Sequence, residues 1–428
     1  MPKVCRTGNK YGSCAFLLYL NQSNRGSHGL TEGAKAYRPM GRIIDFIQKE
    51  GQGKYLCYKT RKMSLDTDSN DTLTYDDKPS IQIFGSQIAE SDKARVHTVD
   101  IPKKLIHACI TPIFSFFLDG SRHTYKIDDI AIGKRIFPFL AGQIIVGCCE
   151  RSNRDTFKKT ALRHKLVLSL PSDFNVDDDV NYCRLFLEKI NSQIAQLPFV
   201  ATSGIHFDDI LLYETDALSK DERGKDGLQN RGIAKIQTVM TDDEQLLVGD
   251  LCKHNRLDDE HWLIKDGSLE YTPSARLRDD EWLKMRNNYQ YVVGVSKQFN
   301  PDLILDFEKN KLSKTIAALK PFQRTKAYRY TAEQCQAEFA IWYLRLRNSD
   351  FRETHFSDVV KCEMLIPAEG GVIDSDTIDV ICANLIREAY PVCYGADSRW
   401  ANHLYPVFLT EKYCKSNYID NNIILNLF

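Results

Sequence analysis

Two strings in this chain put the same acid in the same setting. Ile113-Phe-Ser-Phe-Phe-Leu118 runs into Asp119-Gly120-Ser121, and Trp262-Leu-Ile-Lys265 runs into Asp266-Gly267-Ser268. Each reads as a buried strand that ends on an aspartate followed by a freely turning residue. An aspartate in that position is costly to ionise unless a cation or several hydrogen bonds compensate. Asp-Gly is also a common turn dipeptide, so each string equally describes a turn after a strand. A third acid belongs with them. Over residues 228–253, Ile233, Ile236, Met240, Leu247 and Leu251 repeat at helical spacing, and Glu244 fills the one gap in their stripe. The competing reading is a capping box, Thr241-Asp-Asp-Glu244, that starts a new helix at Thr241.

Three acids on neighbouring core elements repel one another, and divalent cations resolve that repulsion. Ligation by oxygen alone favours Mg²⁺ or Mn²⁺ over zinc. Paired ions roughly 3.5–4 Å apart are the usual machinery for in-line attack on a phosphodiester. Such chemistry needs no nucleophilic serine, and Ser121 and Ser268 lie in no Gly-x-Ser-x-Gly elbow, so they read as turn residues.

The elements that must position these acids are an interleaved set. Strands are expected at 113–118, 143–149, 164–170, 262–265, 291–296 and 359–366, and helices at 179–196, 228–253, 331–346 and 374–389. Strands first and helices interleaved later indicate an α/β or α+β domain on a mixed sheet. Residues 1–105 are irregular, with short candidate elements at 15–20, 41–50, 55–58 and 80–85.

The string Phe117-Leu-Asp119-Gly-Ser121-Arg122 resembles the opening motif of the NurA nucleases, which have a ribonuclease H-like fold. The order that follows agrees with it: Glu244 on a helix, then Trp262-Leu-Ile-Lys-Asp266-Gly-Ser-Leu269, then Val293-Gly-Val-Ser-Lys297. Val359-Val-Lys-Cys-Glu363 and Tyr405-Pro406-Val-Phe-Leu409 are similar to that family's ending. The resemblance spans about residues 106–428. It implies an α/β, ribonuclease H-like mixed sheet flanked by helices over 106–428, and it leaves 1–105 as a smaller mixed α/β or β-rich extension. It also implies a metal-dependent DNA endo- and exonuclease with Asp119, Glu244 and Asp266 as ligands for Mn²⁺ or Mg²⁺, and Lys297 beside the phosphate or the acids. The implied partners are DNA, a second copy in a homodimer, and a HerA-type hexameric ATPase, in DNA end processing and repair or in anti-phage defence. Family members often complete the site with a histidine after the Tyr-Pro element. Tyr413 stands there in this chain, with His403 and Glu411 as nearby alternatives, and His403 is the candidate catalytic participant. The departure keeps open an alternative: a catalytically silent DNA-binding or regulatory subunit of such an ATPase complex. Argonaute-type or transposase enzymes would need guide- or end-binding modules, and 1–105 offers none.

Composition limits the remaining classes. Over 428 residues, 57 basic and 57 acidic side chains cancel, so a nucleic-acid surface must be a local stripe. Two stripes stand out, at 151–165 and 309–329. Without a Gly-x-x-x-x-Gly-Lys-Ser/Thr loop the chain is not a P-loop motor. No apolar run approaches the roughly 20 residues of a membrane helix, which leads to the expectation of a cytoplasmic protein with no membrane partner. The 13 cysteines include no Cys-x-x-Cys pair and read as reduced, small hydrophobes rather than zinc ligands.

Overall fold

The computed structural model describes residues 42–58, 60–65, 83–84, 88–92, 98–107, 112–153, 156–175, 181–217, 226–269, 287–302, 304–305, 311–332, 337–348, 354–366, 371–394 and 399–428. The apolar run at 15–20 lies outside them. In chain order come α1 (Arg42–Glu50), β1 (Tyr55–Tyr58), β2 (Met63–Ser64), β3 (Ile83–Phe84), β4 (Thr98–Asp100) and α2 (Lys103–His107). Three long strands follow, β5 (Phe114–Ile132), β6 (Arg135–Arg151) and β7 (Phe157–Pro171), then α3 (Tyr182–Ile194), α4 (Pro198–Ser203), β8 (Asp209–Tyr213) and α5 (Gly227–Lys253). The remainder is β9 (Trp262–Asp266), β10 (Val292–Ser296), β11 (Ile304–Leu305), α6 (Ser313–Ala317), β12 (Gln323–Thr325), β13 (Tyr328–Ala332), β14 (Ala337–Arg345), β15 (Val359–Leu365), α7 (Ser375–Glu388), α8 (Tyr405–Ser416) and α9 (Asn421–Asn426).

Most strands join one mixed sheet whose main path is β4-β12-β14-β15-β10-β9-β5-β6-β7-β8. β10, β9 and β5 run parallel at its centre, and antiparallel pairs extend it on both sides. Helices flank both faces. α5 covers one, where Ile236, Leu247 and Leu251 pack with Leu118, Leu263 and Val292. α7 and α8 cover the other, where Ile378, Ile381 and Val407 pack with Phe117, Ile264 and Val293. Alternation along the central strands therefore sends neighbouring residues into two separate cores. Each buried Leu, Ile or Phe there contributes about 1.5–3 kcal/mol relative to exposure. A third cluster, around Tyr125, Phe137, Phe139 and Leu168, holds the far end of the β5–β6–β7 array against α1, α3 and the C-terminal Phe428.

Described residues before position 105 enter the same sheet: β1 and β2 pair with β5, and β4 pairs with β12. The expected division at 105 falls within α2, and residues 41–428 form one compact unit.

Two expectations are corrected. The described residues of 331–346 form no helix: β13 and β14 pair antiparallel there, from Tyr328↔Ile341 to Ala332↔Ala337. Phe339, Ile341 and Tyr343 fill one core while Ala340, Trp342 and Leu344 fill the other. A strand buried on both faces gives a continuous apolar run, which periodicity cannot distinguish from a buried helix. The second correction concerns Asp119-Gly120-Ser121, which is not a turn. β5 continues through it to Ile132 because β6 stays in register beside it, Asp119↔Gly147 and Gly120↔Val146.

Several described basic residues of both stripes are committed to internal ion pairs. Arg324 is fully buried, with Nη2 2.8 Å from Glu90 and Nε 2.8 Å from Asp379. Arg329 pairs with Glu338, and Arg151 with Glu388. Arg163 lies 2.8 Å from Asp250 and Lys165 2.8 Å from Asp243. The cysteines among the described residues are free thiols, and no described helix is long and apolar enough to cross a membrane.

Candidate active site at the parallel strand ends

β5, β9 and β10 are parallel neighbours, with Leu118 opposite Lys265 and Asp266 opposite Val295. The two Asp-Gly-Ser strings thus lie side by side, and Asp119 and Asp266 stand where the parallel pairing of β5 with β9 ends, while β5 itself continues beside β6. Lys297, one residue beyond β10, reaches the same place. Its Nζ lies 2.7 Å from Asp266 Oδ2 and 3.4 Å from Glu411 Oε2 on α8. The face follows from alternation: Asp119, Asp266 and Lys297 keep the parity of Phe117, Ile264 and Val295, all in the α7–α8 core.

Glu244 occupies the other face. α5 runs unbroken through Thr241, so no capping box forms, and Glu244 sits buried on the core stripe. Asp243 beside it is buried too, paired with Lys165. Glu244 Oε2 lies 2.7 Å from Lys265 Nζ, and a Cβ at Gly120 would stand 2.2 Å from Glu244 Oε1. Only glycine leaves room there. The structure therefore gathers Asp119 and Asp266 with Glu411, while Glu244 forms a separate ion pair behind the strand edge.

The turn after Asp266 is built from buried charge as well. Gly267 has φ 86°, a value glycine adopts without strain. Ser268 Oγ and the Leu269 N–H donate to Glu363 Oε2 at 2.8 and 2.7 Å, and Lys361 lies 2.7 Å from the other oxygen of Glu363. Lys265 Nζ donates to the carbonyls of Asp266 and Ser268. Nothing in the sequence pattern marked Lys265, Lys361 or Glu363 as a unit. Their one trace is charge inside two apolar strands, Lys265 in β9 and Lys361 and Glu363 in β15.

α8 brings Glu411 in by close approach. A Cβ at Gly147 would stand 2.5 Å from Cys414 Sγ, and the Cys414 thiol donates to the Asp119 carbonyl at 3.6 Å. Gly147→Ala should therefore lower stability by about 1–3 kcal/mol through overpacking, and adding Cys414→Ala should recover most of that. Urea midpoints of the single and double variants measure it; an unchanged midpoint in Gly147→Ala would contradict the seating of α8.

The electrostatics follow from burial and crowding. Burial, then the charge of Asp266, pushes the Asp119 carboxyl well above the ordinary aspartate range. Its Oδ2 is buried and no N–H or hydroxyl among the described residues reaches it. Burial alone would raise Asp266 also, but Lys297 outweighs it and holds this carboxyl low. The same balance, with Lys297 and Lys415 opposing burial, holds Glu411 at about 2. Lys297 is raised, because Asp266 and Glu411 outweigh its burial. Burial raises Glu244 against the opposing charge of Lys265.

Of the three C-terminal alternatives, Glu411 enters the cluster. His403 is buried, with Nδ1 3.9 Å from Glu411 Oε2 and its ring edge-on to Phe408, so it stands behind Glu411. Tyr413 lies against Cys149 and Cys414, outside the acids.

Among the described residues no three His, Cys, Asp or Glu side chains already surround a point where a metal would sit. Asp119 and Asp266 nonetheless fit a hard cation. They are hydrogen-bonded to each other, they are oxygen donors, and one buried carboxylate oxygen has no donor. Glu411 is the third oxygen donor on that face.

No family model matches the chain, and no curated protein matches it. Among solved structures, the crystal structure of the NurA nuclease from Sulfolobus solfataricus is similar at 12% identity. The match covers 73% of this chain and 83% of that one, with a TM-score of 0.38. A likeness at that level assigns neither family nor activity, and the functional reading rests on the site itself.

Proposed function

We propose that this chain is a metal-dependent deoxyribonuclease of NurA type, with Asp119 and Asp266 as its principal cation ligands. The observation that carries the reading is Asp119: a buried carboxylate against a second carboxyl, with one oxygen that no donor among the described residues reaches. Natural proteins rarely leave such a group without a role or a ligand. A bound Mg²⁺ or Mn²⁺ would activate water and stabilise the departing oxygen of a phosphodiester. Lys297 keeps Asp266 and Glu411 ionised and fixes their separation. Glu411 offers a further carboxylate on the same face, and His403 steadies it from behind. Glu244 and Lys265 support the strand edge through Gly120. The mixed sheet with helices on both faces is broadly consistent with a ribonuclease H-like arrangement. On this reading the protein works in the cytoplasm as a homodimer, with a HerA-type hexameric ATPase feeding it DNA for repair or anti-phage defence.

One observation favours the second reading, a silent DNA-binding or regulatory subunit of such a complex. Lys297 already neutralises part of the acid cluster through Asp266 and Glu411. The deciding assay is cleavage of linear and circular DNA in Mn²⁺, Mg²⁺ and EDTA, with and without the cognate ATPase. Cutting that needs metal and disappears in Asp119→Ala supports the nuclease. No cutting in any metal, with the partner present, supports the silent subunit.

A further inference from the structure

Beside the acid cluster the chain exposes aromatic rings that no part of the cleavage chemistry uses. Tyr394 is 75% exposed, more than any other large apolar or aromatic side chain among the described residues, and Tyr390 is 51% exposed. Tyr394 does not stand alone: its ring packs on Trp400 at 4.8 Å between centroids and 36° between planes. An exposed tyrosine braced by an indole presents a π-surface to solvent.

The segment that carries this pair is tied to the candidate site. Trp400 opens a short 3₁₀ turn, Trp400–Asn402, and the Asn402 Nδ2 donates to the carbonyl of Lys297 itself at 2.9 Å. The next residue, His403, stands 3.9 Å from Glu411 Oε2. Arg347 joins the two arms: Nη2 donates to the His403 carbonyl at 3.2 Å, and the guanidinium lies 5.3 Å from the Tyr390 ring centroid. Cys393, adjacent to Tyr394, is within electrostatic reach of Lys297 and Glu411. Trp400 and the acids are thus linked through one short turn, and only Ala401 separates Trp400 from Asn402, the residue that contacts Lys297.

We infer that Tyr394 and Trp400 form a stacking platform for an unpaired nucleobase, placing single-stranded nucleic acid beside the Asp119–Asp266 edge. This rests on the nuclease reading for the identity of the neighbouring site, and it adds a substrate form: a strand whose base is free of its duplex. The chemistry suits that ligand. Every base has a π-face, so a rigid aromatic surface next to a phosphodiester site binds without reading sequence. A base inside a duplex is already stacked on both sides and cannot use it.

The test is binding in EDTA, where metal-dependent cutting is absent. Fluorescence anisotropy with a labelled oligo-dT compares wild type, Tyr394→Ala and Tyr394→Phe. Tyr394→Ala should bind about fivefold to a hundredfold more weakly, the range for losing one stacked base, with an unchanged melting temperature. Tyr394→Phe should bind as wild type does, and an abasic oligomer should bind wild type and Tyr394→Ala equally. Equal affinity of Tyr394→Ala and wild type for oligo-dT overturns the platform, as does no binding by wild type or discrimination that persists on the abasic strand. Because the readout needs no cleavage, a platform that binds in a protein that never cuts would sink the nuclease reading alone.

Discussion

Asp119→Asn abolishes metal-dependent cleavage and, in EDTA at neutral pH, makes the protein more stable than wild type. Loss of one of two principal ligands removes several kcal/mol of charge stabilisation, about a thousandfold or more in rate. The gain in stability has a separate cause. Asp119 is buried against Asp266, and one of its oxygens reaches no donor among the described residues, an arrangement that costs about 1–3 kcal/mol. The amide in Asp119→Asn carries no charge and can donate to Asp266. The pH dependence has a definite sign. Asp119 has a folded-state pKa above its unfolded value, so the stability it contributes is present at acid pH and lost as pH rises through the folded value. The advantage of Asp119→Asn therefore widens from acid toward neutral pH. Thermal melts across that range, with and without Mn²⁺, measure it, and Mn²⁺ should raise the wild-type midpoint more than the variant's. A variant that melts below wild type at every pH in EDTA would mean that Asp119 is structurally satisfied, and the metal reading would lose its support.

Lys297→Met produces the largest loss of stability. The ammonium lies 2.7 Å from Asp266 and 3.4 Å from Glu411, and its side chain is 9% exposed. Removing one member of a buried charge pair costs about 3–5 kcal/mol, because the remaining charges stay buried without compensation. Here two ionised acids and Asp119 are left facing one another. A divalent cation should replace the lost charge, so Mn²⁺ should restore stability to Lys297→Met more than it adds to wild type. The acid limit follows from Glu411, whose carboxyl is lowered from 4.5 to about 2. Its pairing stabilises the fold above the unfolded value and is lost as pH falls through the folded one, so wild type and variant converge between roughly pH 4.5 and 2. Chemical denaturation in EDTA and in Mn²⁺ gives both quantities. Equal stabilities in EDTA would show that Lys297 does not balance this cluster.

Much of the site was legible because its parts are local. The two Asp-Gly-Ser strings follow apolar runs that are strands, and those strands prove to be adjacent and parallel. Glu244 was visible as the residue that completes a helical stripe, and α5 runs uninterrupted through it. Lys297 follows directly from a short apolar strand. What was not legible depends on pairing across long separations. Asp119 reads as a turn because Asp-Gly usually is one, and only the continuing register of β6 keeps the backbone extended there. Residues 331–346 read as a helix because the apolar run of β14 is buried on both faces. Lys265 carries no periodic signal, and its role appears only when α5 presents Glu244 to it.

The sequence by itself determined which acids directly follow buried apolar runs and which helix stripe carries an acid, since spacing along one element decides both. The tertiary structure alone decided which of them meet. Strand alternation sends Asp119 and Asp266 to the α8 face and Lys265 to the α5 face, so Glu244 is drawn to a lysine rather than to the two aspartates. Glu411, 292 residues beyond Asp119 in the chain, takes the third position because Gly147 lets α8 approach closely enough to deliver it. Contacts of that kind depend on sheet order and parity, which are properties of the whole packed sheet and have no expression within any single segment.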